Sequence, residues 1–298
     1  MYDSVLIPTD GSDRSRRAAA HGIALAAEYD ATVHALNVID TSALEIGDFT
    51  DLAQVHDALE TQGESATGAI TELAAVHDLD TVAAVRDGTP ARTILSYAAE
   101  EDVDVIAMGT HGRTGLTRTL LGSVTERVVR KAERPVLTAR AGDAETEPDT
   151  DYDRILIPTD GGPESRAAAR AGIDLAARVD AEVYALSVVD TTLTREGAFV
   201  AALEANSEGA VRRVAVEGAE RDVPVETFVE DGSPASVITD FVADNDVGFV
   251  AMGTHARTGL DRFVTRNVAE RVIRHADAPV LTVQGDVVEP LEEAGEED

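Results

Sequence analysis

A chain of 298 residues with 56 acidic and 25 basic side chains carries a net charge of −31. That field, with no basic stripe to offset it, excludes nucleic acid and anionic membrane surfaces as partners. Without cysteine there are no disulfides, thiolate metal sites or cysteine nucleophiles, and no apolar stretch approaches the length of a membrane span.

Lys131 is the only lysine, so Arg, Asp and Glu supply the charged surface. This composition points to a salt-saturated cytoplasm, where mobile ions screen self-repulsion. Met1-Tyr2-Asp3-Ser4 leads directly into an apolar run with no charged n-region, and a cytoplasmic location is expected.

Short apolar runs alternate with amphipathic ones, the pattern of βαβ units around a parallel sheet covered on both faces. Strands are predicted over residues 4–8, 32–39, 81–86, 103–108 and 135–139. Helices are predicted near 12–29, 51–77, 90–101 and 123–132, with Pro90 suited to a first helical position because its missing N–H costs nothing there. In such sheets ligands bind beyond the carboxyl ends of strands, where the strand order reverses. Asp10, Val38 and Gly109 fall at such ends.

The fourth strand runs into Gly109-Thr110-His111-Gly112, then Arg113 through Leu121, then Gly122-Ser123 and a helix. Strand, glycine loop and helix start form an anion-binding arrangement, because the first helical amides lack internal partners. Ser123-Val124-Thr125-Glu126 also has the S-x-x-E form of a capping box, which would give Ser123 a purely structural role. No Gly-Lys-Ser/Thr occurs, so the loop is not a Walker P-loop.

The pattern then repeats. Val5-Leu6-Ile7-Pro8-Thr9-Asp10-Gly11 returns as Ile155-Leu156-Ile157-Pro158-Thr159-Asp160-Gly161, 150 residues later, and Asp87-Gly88-Thr89-Pro90-Ala91 returns as Asp231-Gly232-Ser233-Pro234-Ala235. Two units of domain size argue for tandem domains. The divisions are 1–141, an acidic linker over 142–151, a second domain over 152–285 and an acidic tail over 286–298. Asp160-Gly161-Gly162-Pro163-Glu164-Ser165 distantly echoes a pyrophosphate loop, but a carboxylate at its first position would repel that ligand, and it reads as a turn opening a helix.

With these residues in hand, the chain resembles the universal stress protein family in nearly its whole length, twice. The resemblance implies an α/β fold: two tandem open five-stranded parallel sheets with helices on both faces, Rossmann-like and of the adenine nucleotide alpha hydrolase type. It further implies that the half carrying G-x2-G-x9-G-[ST] binds ATP with a divalent ion, Mg2+ or Mn2+. Asp10, preceded by Pro8 and Thr9, would contact adenine and ribose, Val38 would flank the base, and Met108 and Gly109 would face the sugar. Gly112, Gly122, Ser123, Val124 and Thr125 would surround the phosphates, with His111 and Arg113 in the same loop.

Physical chemistry agrees: Gly112 and Gly122 let backbone approach phosphate oxygens that a Cβ would hold away, and Asp10 can accept hydrogen bonds from ribose hydroxyls. Arg113 and Arg118 either offset triphosphate repulsion or are solvated. The second copy departs from the pattern, with Ala256, Arg266 and Asn267 at the positions of Gly112, Gly122 and Ser123. Asn267 and Glu270 could still cap its helix. The first copy is therefore expected to bind nucleotide and the second to be weak or empty.

No nucleophile with a positioned base, metal-ligand cluster or γ-phosphate lysine stands out, so no catalytic or metal residues are assigned. The leading function is an ATP-binding stress-response regulator whose loaded loop alters a surface for a protein partner. A non-binding scaffold or chaperone-like protein is the alternative, and a slow ATPase the weaker one. Val136 to Ala139 and Val280 to Val283 are apolar edge strands that could pair within the chain as a pseudo-dimer, leaving a further homodimer open.

Overall fold

The computed structural model describes residues 2–40, 52–110, 121–140, 150–190, 197–254 and 264–284. The first half runs β1 (Ser4–Pro8), α1 (Asp13–Tyr29), β2 (Thr32–Ile39), α2 (Leu52–Ala75), β3 (Thr81–Asp87), α3 (Pro90–Glu100), β4 (Val105–Gly109), α4 (Ser123–Lys131) and β5 (Val136–Ala139). The second runs β6 (Arg154–Pro158), α5 (Pro163–Val179), β7 (Glu182–Val189), α6 (Gly197–Ala219), β8 (Val225–Asp231), α7 (Pro234–Asp244), β9 (Phe249–Thr254), α8 (Val264–His275) and β10 (Val280–Gln284).

The two five-stranded units join edge to edge through the strands named as candidates for pairing, giving one ten-stranded sheet in the order β3-β2-β1-β4-β5-β10-β9-β6-β7-β8. All pairings are parallel except β5 with β10, which is antiparallel and joins the halves. Across this seam Leu137 faces Leu281, Thr138 Oγ1 donates to Val280 O at 3.2 Å, and Thr282 Oγ1 donates to Val136 O at 3.0 Å. Each half gives the other the same bond it receives. The expected linker lies outside the described residues but for its last two, and the tail over 286–298 lies wholly outside them.

Burial on both faces explains the near-continuous apolar strands. In β1, Val5 and Ile7 belong to the layer under α1 and α5, while Leu6 belongs to the layer under α3 and α4, and all three are buried. Both core layers cross the seam. Leu281→Ala should therefore cost about 2–5 kcal/mol and lower one calorimetric transition as a whole; two transitions, of which only one moves, would show that the halves do not share a core.

The fourth strand starts two residues later than predicted, at Val105 rather than 103. Val103 N instead donates to Ala98 O to close the turn, and Asp104 Oδ2 accepts from the amides of Asp3 and Ser4. Every positive-φ residue other than glycine among the described residues is an aspartate: Asp30, Asp78, Asp102, Asp180, Asp222 and Asp246. Asp30 and Asp180 are the left-handed C-caps of α1 and α5. Short polar side chains tolerate this conformation, and part of the acidic surplus sits where glycine is usual. No helix among the described residues is long and apolar enough to cross a membrane.

Candidate functional site

The strand order reverses between β1 and β4, and the carboxyl ends of β1, β2 and β4 meet there. Pro8 ends β1 opposite Leu36. Thr9 follows, and each of its polar groups is engaged: N–H to Leu36 O at 2.8 Å, carbonyl accepting Asn37 Nδ2 at 2.8 Å, and Oγ1 against Ser15 Oγ at 3.0 Å and the Gly11 amide at 3.1 Å. Thr9 thus shapes the turn that presents Asp10. Asp10 Oδ1 accepts from the Ser12 amide and hydroxyl at 3.0 and 2.6 Å, and Ser12 in turn caps α1. Gly63 leaves space for Asn37 in this position: a Cβ there would lie 2.7 Å from Asn37 Oδ1 and would push the amide aside. The second half has Ser187 and Ser207 at the equivalent positions, a smaller residue opposite a larger one.

Val38, Met108 and Val124 all pack on the core layer under α3 and α4, so one face brings these three candidates together. Gly109 ends β4 and Thr110 follows. Two hydrogen bonds tie this strand end to the start of α4: Gly122 N donates to Thr110 O at 2.7 Å, and Thr125 Oγ1 donates to Gly109 O at 2.7 Å. His111, Gly112 and Arg113 lie outside the described residues.

Two details of the α4 start bear on the sequence reading, the first by removing its capping alternative for Ser123. Ser123 does not cap α4: Gly122 occupies the N-cap, Ser123 is the first helical residue, and no side-chain cap bond forms. Nor does Gly122 offer its own amide to a ligand, since Thr110 has it. Glu126 N makes the first intrahelical bond, to Gly122 O at 2.9 Å. The amides of Ser123, Val124 and Thr125 are the ones that face outward from the first turn without a preceding helical carbonyl.

The second half diverges here. Its helix α8 begins at Val264, three residues before the position equivalent to Ser123, so Arg266 lies inside the helix and not before it. Asn267, Val268 and Ala269, the equivalents of Ser123, Val124 and Thr125, fall past the first three positions, where amides bond the previous turn. Asn267 is therefore the fourth helical residue and does not stand at the N-cap position expected for it. Glycine disfavours helix by about 1 kcal/mol relative to alanine, and its replacement by arginine lets α8 start earlier. Ala256 lies outside the described residues.

The same half nevertheless contains a cavity of about 140 Å3 at this end of the sheet. Pro158, Thr159, Asp160, Val188, Met252, Gly253 and Val268 line it, the equivalents of Pro8, Thr9, Asp10, Val38, Met108, Gly109 and Val124. Asp160 Oδ1 accepts from the Gly162 amide and the Ser165 hydroxyl, both at 2.8 Å. Gly162 caps α5 and Pro163 opens it, as the sequence predicted for this turn. Gly253 has to be glycine, because a Cβ would come within 2.6 Å of the backbone of Glu164 and Ser165.

A polar group that the sequence reading passed over lies near the β3 edge. Ligand atoms of His56, Asp57 and Glu60 on α2 lie within 4.8 Å of one another, and H-x3-E on one helix face was its only sequence signal. His56 Nε2 lies 3.0 Å from Asp87 Oδ1, and this hydrogen bond raises the imidazole pKa. The bond favours the protonated ring, which pairs with the Asp87 carboxylate at the surface.

Comparison with known proteins agrees with this architecture. The universal stress protein family model matches residues 1–140 and again residues 151–284. A universal stress protein of Methanocaldococcus jannaschii is 38% identical over 143 residues, covering 47% of this chain and 83% of the relative. One from Mycolicibacterium smegmatis is 26% identical over 292 residues, covering 94% of this chain and 96% of its own. The crystal structure of a universal stress protein from Archaeoglobus fulgidus DSM 4304 has a TM-score of 0.74 at 20% identity, over 95% of this chain and 99% of that one, a likeness of fold. The chain therefore belongs to the universal stress protein family and carries the family's domain twice in tandem.

Proposed function

We propose that the first half binds ATP with a divalent ion at the carboxyl ends of β1, β2 and β4, and that the loaded state is read by a protein partner. One observation carries this reading: three outward helix-start amides, at Ser123, Val124 and Thr125, are clamped onto the end of β4 by the Gly122 and Thr125 hydrogen bonds. A helix start held in this way supplies oriented donors to anionic oxygens without reorganisation. Asp10 stands at the neighbouring strand end to accept ribose hydroxyls, and Val38, Met108 and Val124 offer an apolar face to the base. The Ser123 hydroxyl, exposed and free of any capping bond, would ligate the ion among the phosphates.

Binding itself, rather than turnover, is the proposed output. The proposed functional unit is an intramolecular pseudo-dimer, located in the cytoplasm, a reading supported by the antiparallel β5–β10 pairing between the halves. Calorimetric titration with ATP and Mg2+ is expected to give one triphosphate site per chain. Two equivalent sites, or none, would contradict the proposal. Hydrolysis faster than about one per second would replace the sensor by an enzyme.

A further inference from the structure

The second half retains the pocket while having lost the phosphate-binding helix start, and its charge is altered at one lining position. Glu164 lines the cavity beside Asp160, whereas the first half has Arg14 at the position equivalent to Glu164. Glu164 is held there by the close approach of Gly253 to its backbone. A phosphorylated ligand would thus meet two carboxylates, Asp160 and Glu164, at the mouth of the cavity. The rest of the lining, including Leu186, Val188, Ile238, Met252 and Val268, is apolar. Pockets for drug-sized molecules run to about 300–1,000 Å3, so a half-open cavity of about 140 Å3 has room for one base-sized ring system and leaves the remainder of a ligand at the rim.

We propose that the second half binds an uncharged nucleoside, its base in this cavity and its sugar hydroxyls toward Asp160, and that Asp160 and Glu164 discriminate against phosphorylated forms. The identity of the base rests on the reading of the first half, because the lining residues are equivalents of that half's candidates; the charge selectivity does not. The chain then carries two sites that answer to different phosphorylation states of related molecules.

The three methionines of the chain, Met1, Met108 and Met252, make the test direct, since Met108 reports on the first half and Met252 lines the second cavity. Methyl-13C methionine labelling of the full chain should show adenosine shifting the Met252 resonance saturably, with ATP at least about tenfold weaker at that methyl. Val188→Phe, which projects a ring into the cavity from a half-buried position, should remove the Met252 response and leave the Met108 response to ATP intact. Glu164→Arg should strengthen the ATP response at Met252 at least about tenfold.

An unmoved Met252 resonance on adding adenosine would overturn the proposal. So would a Met252 response to ATP as strong as to adenosine, which would assign phosphate to Arg266. If ATP fails to shift Met108 while adenosine shifts Met252, the first-half reading falls and this one stands.

Discussion

Gly122→Arg is expected to weaken ATP binding by at least about 100-fold while shifting the melting temperature by no more than about 3 °C. Gly122 has φ −60° and ψ 140°, a conformation open to any residue, so the backbone bears no strain from the change. The loss arises at the helix start. With arginine at the equivalent position, α8 begins three residues earlier and absorbs the amides that α4 leaves outward. Hydrogen bonds to charged groups contribute about 1.5–3 kcal/mol each, and losing two of them accounts for a factor of 100 or more. Gly122→Ala, which adds only the Cβ at the phosphate side and leaves the helix start in place, should fall between wild type and the arginine variant. Calorimetric titration of both variants checks this; an arginine variant that binds within about threefold of wild type would remove Gly122 from the site.

The largest effect on the fold itself should come from salt. Even if every basic side chain is paired, 31 carboxylates remain without a counterpart. The ion pairs among the described residues lie at the surface, with the carboxylates of Asp13, Asp102, Asp246 and Asp277 largely exposed, and such pairs contribute about 0–1 kcal/mol each. A net −31 spread over a compact sphere, against the same charge on an expanded chain, loses on the order of 10 kcal/mol of relative stability between about 1 M and 0.1 M salt, as the screening length grows from about 3 to 10 Å. That is comparable with the whole stability of a typical domain. Dilution from about 2 M to 0.1 M KCl should therefore lower the melting temperature by at least about 20 °C. Thermal melts across that range that agree within about 3 °C would refute the expectation.

Much of the fold was legible in the sequence. The duplication is visible as repeated heptads, and β1, β2 and β3 begin where their apolar runs begin, because strands buried on two faces need unbroken apolar sequence. The later start of β4 was not visible. It depends on Val103 closing a turn onto Ala98 and on Asp104 reaching the first strand, a contact 100 residues away in sequence.

The site was half legible. S-x-x-E looks the same whether the serine is the cap or the first helical residue, and the Thr110 carbonyl, by accepting Gly122 N, settles which it is. The substitutions in the second half's glycine loop point to an empty site, while its pocket is built elsewhere. Its cavity is lined by residues from Pro158 to Val268, which no local pattern connects.

Residue order by itself determined the two α/β halves, the strand ends that carry Asp10, Val38 and Gly109, and the replacement of the loop glycines Gly112 and Gly122 by Ala256 and Arg266 in the second copy. Those follow from periodicity and from the backbone freedom of glycine, both local properties of the chain. Only the tertiary structure decided that the β5 and β10 edges pair with each other and in antiparallel register, that the first-turn amides of α4 are those of Ser123 to Thr125, and that Glu164 stands over a retained pocket. Each of these depends on which groups far apart in sequence compete for the same hydrogen bond or the same space.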